Sequence, residues 1–106
     1  MRKWYDEDWM FTITVVKVGQ NDYAEECRLG FEPGDKFECQ YECPGGFCPT
    51  ALMRIFPIME IIRCDGDLRN LGSEYPHETT LPCPDGAVWF RVEGRKNRDG
   101  HFPSNP

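Results

Sequence analysis

The longest apolar run in the chain is Ala51-Leu52-Met53-Arg54-Ile55-Phe56-Pro57-Ile58-Met59-Glu60-Ile61-Ile62. It contains Arg54, Pro57 and Glu60 and is too short to cross a bilayer, so it predicts no transmembrane helix. Its apolar residues recur at helical spacing, which predicts a helix with a wide face buried in a core. The residues that define this stripe are Leu52, Ile55, Phe56, Met59 and Ile62.

Local signals place the ends of this helix. Pro49 is a favoured first helical residue, so the helix begins there and Cys48 lies at or beside its N-cap. Cys64-Asp65-Gly66 ends it, because a small turn sequence follows the last periodic residue. Pro57 predicts a kink or a division of the helix, because proline lacks the N–H that a helix interior needs.

Three segments on either side of the helix predict strands. Residues 11–18 are rich in β-branched residues, residues 36–41 alternate in polarity, and residues 87–93 alternate between apolar and polar residues. In the last of these, Val88 and two further apolar residues share an inner face. Each strand has one apolar face and the helix supplies the other large apolar surface. The predicted fold class is therefore α+β, a small, mainly antiparallel sheet covered by one main Pro-kinked helix in a two-layer sandwich.

The length of 106 residues suits one domain. We predict an N-terminal arm over residues 1–10, a single α+β domain over residues 11–94 and a disordered tail over residues 95–106. Within the domain, residues 21–26 predict one or two helical turns, and residues 67–77 predict a long polar loop.

Charge excludes one class of function. The formal net charge is −6, and no basic stripe is present that could release counterions from a phosphate backbone. The sequence therefore predicts no nucleic-acid partner and no membrane role, and a homo-oligomer or a partner protein remains possible.

The chain has six cysteines. Disulfide frameworks belong to oxidising compartments, but acidic residues stand near the N-terminus where the apolar core of a signal peptide would have to be. We therefore expect a cytoplasmic protein with reduced thiols. The cysteines are Cys27, Cys39, Cys43, Cys48, Cys64 and Cys83.

Three stretches carry a resemblance to a known family. They are Cys27-Arg28-Leu29-Gly30-Phe31-Glu32-Pro33-Gly34-Asp35-Lys36-Phe37, Pro44-Gly45-Gly46-Phe47-Cys48-Pro49-Thr50-Ala51, and Cys83-Pro84-Asp85-Gly86 followed by Val88-Trp89-Phe90-Arg91-Val92. In order and spacing, the chain resembles the small cysteine-containing conserved hypothetical proteins of anaerobic bacteria and archaea. The resemblance implies no activity, but it separates Cys27, Cys48 and Cys83, which fall on the family pattern, from the other cysteines.

The cysteines on the family pattern suit metal ligation. Cys48 begins a helix, and Cys27 and Cys83 lie in stiff loops at the ends of elements. If these places meet at one end of the sheet, three thiolates with a fourth ligand could bind zinc or an iron–sulfur cluster. His77 is the candidate for the fourth position. Because no CxxC pair is present, the spacing alone does not identify the metal.

Cys48 also has a second interpretation. The partial positive charge of a helix N-terminus stabilises a thiolate, so Cys48 could be a nucleophile with Asp85 as acid or base. The alternative is a structural role, in which Cys48 is a small buried hydrophobic residue and Asp85 belongs to an ordinary Pro-Asp-Gly turn.

Three functions thus follow from the sequence, and whether the protein is an enzyme stays open. The first is a small accessory protein that binds a metal ion or cluster through cysteine thiolates. The second is a small enzyme with a reactive thiolate at Cys48, and the third is an oligomeric interaction module with structural cysteines.

Overall fold

The structure is a computed structural model that describes residues 8–19, 27, 29–84 and 86–96. In this part of the chain, four strands form one antiparallel sheet in the order β2-β1-β4-β3, and one long helix accompanies them. This confirms the predicted α+β class. The elements are β1 (Trp9–Val18), β2 (Lys36–Cys39), α1 (Pro49–Arg63), a 3-10 helix (Leu68–Leu71), β3 (Glu78–Pro82) and β4 (Val88–Lys96).

The helix covers the apolar face of the sheet. Alternate residues of β1 and β4 are buried and form one cluster with the buried residues of α1. A side chain added at Gly94 would lie 2.7 Å from the Ile62 Cγ2 and 3.2 Å from the Phe11 Cε1. Gly94 therefore lets the last turns of α1 approach β4 closely. The buried residues from α1 are Ala51, Ile55, Met59 and Ile62, and those from the two strands include Phe11, Ile13, Val15, Val88, Phe90 and Val92.

Both predicted ends of α1 are confirmed. Cys48 is the N-cap and Pro49 is the first helical residue. At the other end, Asp65 has a left-handed φ of 66°. The N–H of Asp65 donates to the Ile62 carbonyl and the N–H of Gly66 donates to the Ile61 carbonyl, both at 2.8 Å. These are the two bonds of a Schellman motif, which satisfies carbonyl groups that the helix end leaves unpaired.

Pro57 lies inside α1, which continues on both sides of it, so the helix is not divided. One side of the helix remains exposed: Met53 is 74% exposed, and Ile58 and Ile61 are only partly buried. The sheet covers one side of α1, so the opposite side faces solvent whatever its hydrophobicity.

Arg63 ties the end of α1 to the end of β2. Its guanidinium lies 4.6 Å from the centre of the Tyr41 ring and 4.9 Å from that of the Phe11 ring. It donates to the Gln40 carbonyl at 2.6 Å and forms an ion pair with Glu60. Cation–π contacts gain strength when the cation is desolvated, and this side chain is only 11% exposed.

The two ends of the sheet are distinguished by what packs on β4. Phe47, directly before α1, contacts the Phe90 ring with centroids 5.4 Å apart, whereas Ile62 approaches Gly94. The helix therefore begins over the start of β4 and ends over its later part. We call these the Val88 end and the Gly94 end.

Strand boundaries differ from those predicted. β1 begins at Trp9, and β4 runs to Lys96, which pairs with Trp9, so the sheet extends beyond residues 11–94. β2 ends at Cys39 rather than at residue 41. The polar region taken as a loop contains the 3-10 helix, and β3 follows it as an unpredicted edge strand. The helical turns predicted for residues 21–26 lie outside the described residues, as do residues 1–7 and 97–106.

Candidate functional site

Cys48 occupies the N-terminus of the 15-residue helix. Its carbonyl accepts the first helical hydrogen bond, from the N–H of Leu52 at 3.0 Å. Its thiol is half-buried and donates to the Thr50 hydroxyl at 3.6 Å. No acidic residue lies in the first turn, so the partial positive charge of the helix end acts on this sulfur without a competing carboxylate.

The loop before Cys48 leaves space beside it. Side chains added at Gly45 or Gly46 would meet no atom within 4 Å, and Gly46 has a φ of 75° that favours glycine. Phe47, by contrast, is buried against Phe31 and Phe90. An open glycine turn and an anchored phenylalanine thus hold Cys48 at the Val88 end.

Cys83 lies in the connection between β3 and β4, also at the Val88 end. Its N–H donates to the Val88 carbonyl at 2.8 Å, and the N–H of Val88 points back to the Cys83 sulfur at 3.4 Å. Its carbonyl accepts from the N–H of Gly86 at 2.8 Å. Three backbone contacts therefore fix both the main chain and the sulfur of Cys83.

Cys27 precedes a short turn that leads to Phe31. Its carbonyl accepts from the N–H of Gly30 at 3.0 Å, and its side chain is partly buried against the core. Phe31, one residue beyond that turn, packs its ring against those of Phe47 and Phe90. Cys27 and Cys48 thus lie close in sequence to rings of one aromatic cluster.

Two of the other cysteines lie towards the Gly94 end. Cys39 pairs with Phe11 across β1 and β2, and Cys64 caps the C-terminus of α1. Cys43 is exposed, and its thiol donates to the Pro44 carbonyl at 3.6 Å. Cys39 and Cys64 therefore lie at the end of the sheet opposite to Cys48 and Cys83.

His77 is not brought to Cys83. It precedes β3 and Cys83 follows it, and the strand of five residues between them separates the two by about 20 Å at its usual rise. His77 instead packs its ring against Trp9, with centroids 4.8 Å apart, and lies 4.0 Å from the Asp65 carboxylate. One metal ion could not bind both His77 and Cys83.

The proposed acid or base, Asp85, lies outside the described residues. The pairing of Cys48 with Asp85 therefore stays a prediction from the sequence. Within the described ranges, no group of three or more His, Cys, Asp or Glu side chains is arranged so that it could hold a metal ion. Cys27, Cys48 and Cys83 therefore do not form a preassembled ligand set.

Sequence reasoning missed one cavity. It has a volume of about 230 Å³ and lies beside β3, far from the thiols of the Val88 end. Because β3 was not predicted, nothing in the sequence suggested a concave surface there; the pair Thr79-Thr80 was its only β-type signal. The lining residues are Ser73, Glu74, Tyr75, Glu78, Thr79 and Thr80.

Comparisons with known proteins add no further constraint. No family model matches the sequence, and neither the curated proteins nor the solved structures contain a match. Among the described helices, none is long and apolar enough to span a membrane. The resemblance to the small cysteine-containing family thus stays a prediction.

Proposed function

We propose that this protein is a small accessory protein that binds a metal ion or an iron–sulfur cluster through Cys27, Cys48 and Cys83. The observation that supports the proposal is that Cys48 and Cys83 lie at one end of the sheet, whereas Cys39 and Cys64 lie at the other. Cys27, Cys48 and Cys83 all occupy loops or a helix cap. Buried packing residues would fall within strands or inside a helix, as Cys39 does at the end of β2.

Binding requires the sulfurs to close around the metal. Zinc is bound by thiolates at about 2.3 Å, and metal affinity is coupled to the folding of the loops that carry the ligands. The turn at Gly45 and Gly46 has open space around it, so the segment before Cys48 can adjust. Because His77 lies at the other end of β3, the fourth ligand is exogenous or comes from a partner.

The test is elemental analysis of protein purified without oxygen, together with its visible absorption spectrum. We expect stoichiometric zinc, or iron with a brown colour, in the wild-type protein. Serine substitution of Cys27, Cys48 or Cys83 should each abolish binding. Cys64→Ser is the matched control, since Cys64 is exposed and lies at the Gly94 end. Metal-free wild-type protein, or equal metal loss in the control, would exclude the proposed site.

A second candidate function is favoured by the position of Cys48 alone. A thiolate at a helix N-terminus with no acidic residue in the first turn is suited to nucleophilic chemistry. Limited alkylation of the metal-free protein with iodoacetamide, followed by peptide mapping, tests it. Cys48 should react faster than the more exposed Cys64, and an equal or slower rate would reject this candidate.

A further inference from the structure

The sheet face away from α1 carries a charge pattern that the core does not explain. We call it the outer face. In β1, which is central, its residues include Thr12 and Thr14, because Phe11, Ile13 and Val15 point to the helix. The residues beside them on the neighbouring strands are Glu38, Glu93 and Glu78 in one row and Lys36, Arg91 and Thr80 in the next.

The first row is acidic. Thr12 lies between Glu38 on β2 and Glu93 on β4, and Glu93 in turn faces Glu78 on β3. Like charges that face each other directly across two strands are destabilising. Among the ion pairs of the described residues, Arg91 offsets this row through a contact with Glu93 at 3.3 Å.

The second row is basic at its centre. Thr14 lies between Lys36 and Arg91. In the described part of the chain, Lys36 and Glu38 are both exposed and neither belongs to an ion pair. A row of negative charge therefore runs beside a row of positive charge, two residues further along the strands.

Two hydroxyl groups in these rows lack partners. Thr12 is 4% exposed and Thr14 is 5% exposed. The Oγ1 atoms of both are buried without a hydrogen bond. A buried hydroxyl without a partner costs free energy, and both oxygens are already shielded from solvent within one chain.

We propose that a second copy of this chain packs on the outer face in a symmetric dimer. The two-fold axis lies in the interface, perpendicular to the strands, and passes between the two rows. Rotation about it places the acidic row of each copy over the basic row of the other. Lys36 then faces Glu38 of the second copy, and Arg91 faces Glu93 of the second copy. Thr12 then lies opposite Thr14 of the second copy, at the centre of the interface.

This arrangement is isologous, as two-fold interfaces are, and sheets packed face to face at about 10 Å leave room for such side chains to meet. Each repulsive Glu row gains cations from the other chain. We choose a second copy over another partner because the charges of one outer face complement those of a second, rotated outer face.

The free edge of β3 is less suited to association. The bonds from Cys83 to Val88 and from Gly94 to His77 show that odd-numbered residues of β3 pair with β4. The backbone N–H and C=O groups that point away from β4, towards the free edge, therefore belong to Glu78, Thr80 and Pro82. The Glu78 carbonyl is taken by the Ser73 hydroxyl, and Pro82 has no N–H, so the edge is blunted against another strand.

The test is charge reversal followed by analytical ultracentrifugation of the full chain in reducing buffer. The wild-type protein should be a dimer. Lys36→Glu and Glu38→Lys should each raise the dimer dissociation constant by about tenfold or more, because each creates two repulsive contacts per dimer. The double variant should restore the dissociation constant, since both contacts become attractive again.

Arg54→Glu is the matched control, because Arg54 is exposed on the helix, and it should leave the dimer unchanged. Circular dichroism should show that all variants are folded. A monomeric wild-type protein, or a dimer that neither single reversal weakens, overturns the proposal. So does a double variant that stays as weak as the single variants. The inference does not depend on the proposed metal site.

Discussion

At the scale of single residues, burial and charge separate Cys39 from the other thiols. Cys39 is 3% exposed. Its burial, and then the Glu42 carboxylate, raise the pKa of its thiol from 9.0 to about 11, although Arg63 opposes the shift. A thiol that keeps its proton at neutral pH is a poor nucleophile and a poor metal ligand. Cys39 therefore acts as a packing residue.

This shift predicts a loss of stability in alkali. Between pH 9 and 11 the unfolded chain releases the Cys39 proton while the folded chain retains it, so the free energy of unfolding falls as pH rises. Below pH 9 the contribution is fully present. We expect thermal unfolding in reducing buffer to show a steeper decline from pH 8 to 11 in the wild-type protein than in Cys39→Ala. Parallel declines would contradict the assigned pKa.

At the scale of elements, the burial of each side chain of α1 depends on its position relative to the sheet more than on its hydrophobicity. Ile55 is fully buried, whereas Phe56, the next residue, is only partly buried and contacts Tyr41 at the helix edge. The larger side chain thus buries the smaller fraction of its surface. Packing, and not hydrophobicity alone, determines what each residue contributes.

This difference predicts an order of destabilisation. Ile55→Ala should lower the free energy of unfolding by about 2–5 kcal/mol, because it removes atoms from a filled core. Phe56→Ala should cost less than Ile55→Ala, because part of the ring already contacts water and little cavity is left behind. Urea unfolding of both variants, with exposed Met53→Ala as the control, measures the difference. A larger loss for Phe56→Ala would show that α1 is rotated relative to the sheet.

At the scale of the whole molecule, the two ends of the described chain are joined in one sheet. Trp9 pairs with Lys96, and Met10 pairs with Arg95. Trp9 is 5% exposed, and the Lys96 ammonium lies 6.0 Å from its ring centre. The first residues of β1 are therefore held in the sheet by the last residues of β4.

Truncation tests this closure. A chain ending at Lys96 keeps both pairs, whereas a chain ending at Gly94 loses them and uncovers Trp9. We expect the second chain to melt several degrees below the first, since a loss of about 1 kcal/mol shifts the melting temperature by 4–8 °C in a domain of about this size. Equal melting temperatures would show that the domain ends before residue 95.

The sequence by itself determined the fold class, the long helix and its ends, and three of the four strands that lie in the described residues. These features depend on local signals: apolar spacing, Pro49 after a cap position, and Gly66 after a turn. It could not reveal β3, whose short polar sequence becomes a strand only because β4 offers it an edge. Nor could it reveal that Pro57 leaves the helix undivided.

Only the tertiary structure decided which candidate site residues lie together. The sequence grouped His77 with Cys27, Cys48 and Cys83 because each is a metal-ligand type at the end of an element. The structure separates His77 from Cys83 by the length of β3, and it places Cys48 and Cys83 at the Val88 end. Distances between residues far apart in sequence are set by strand direction and register, which alternating polarity alone does not specify.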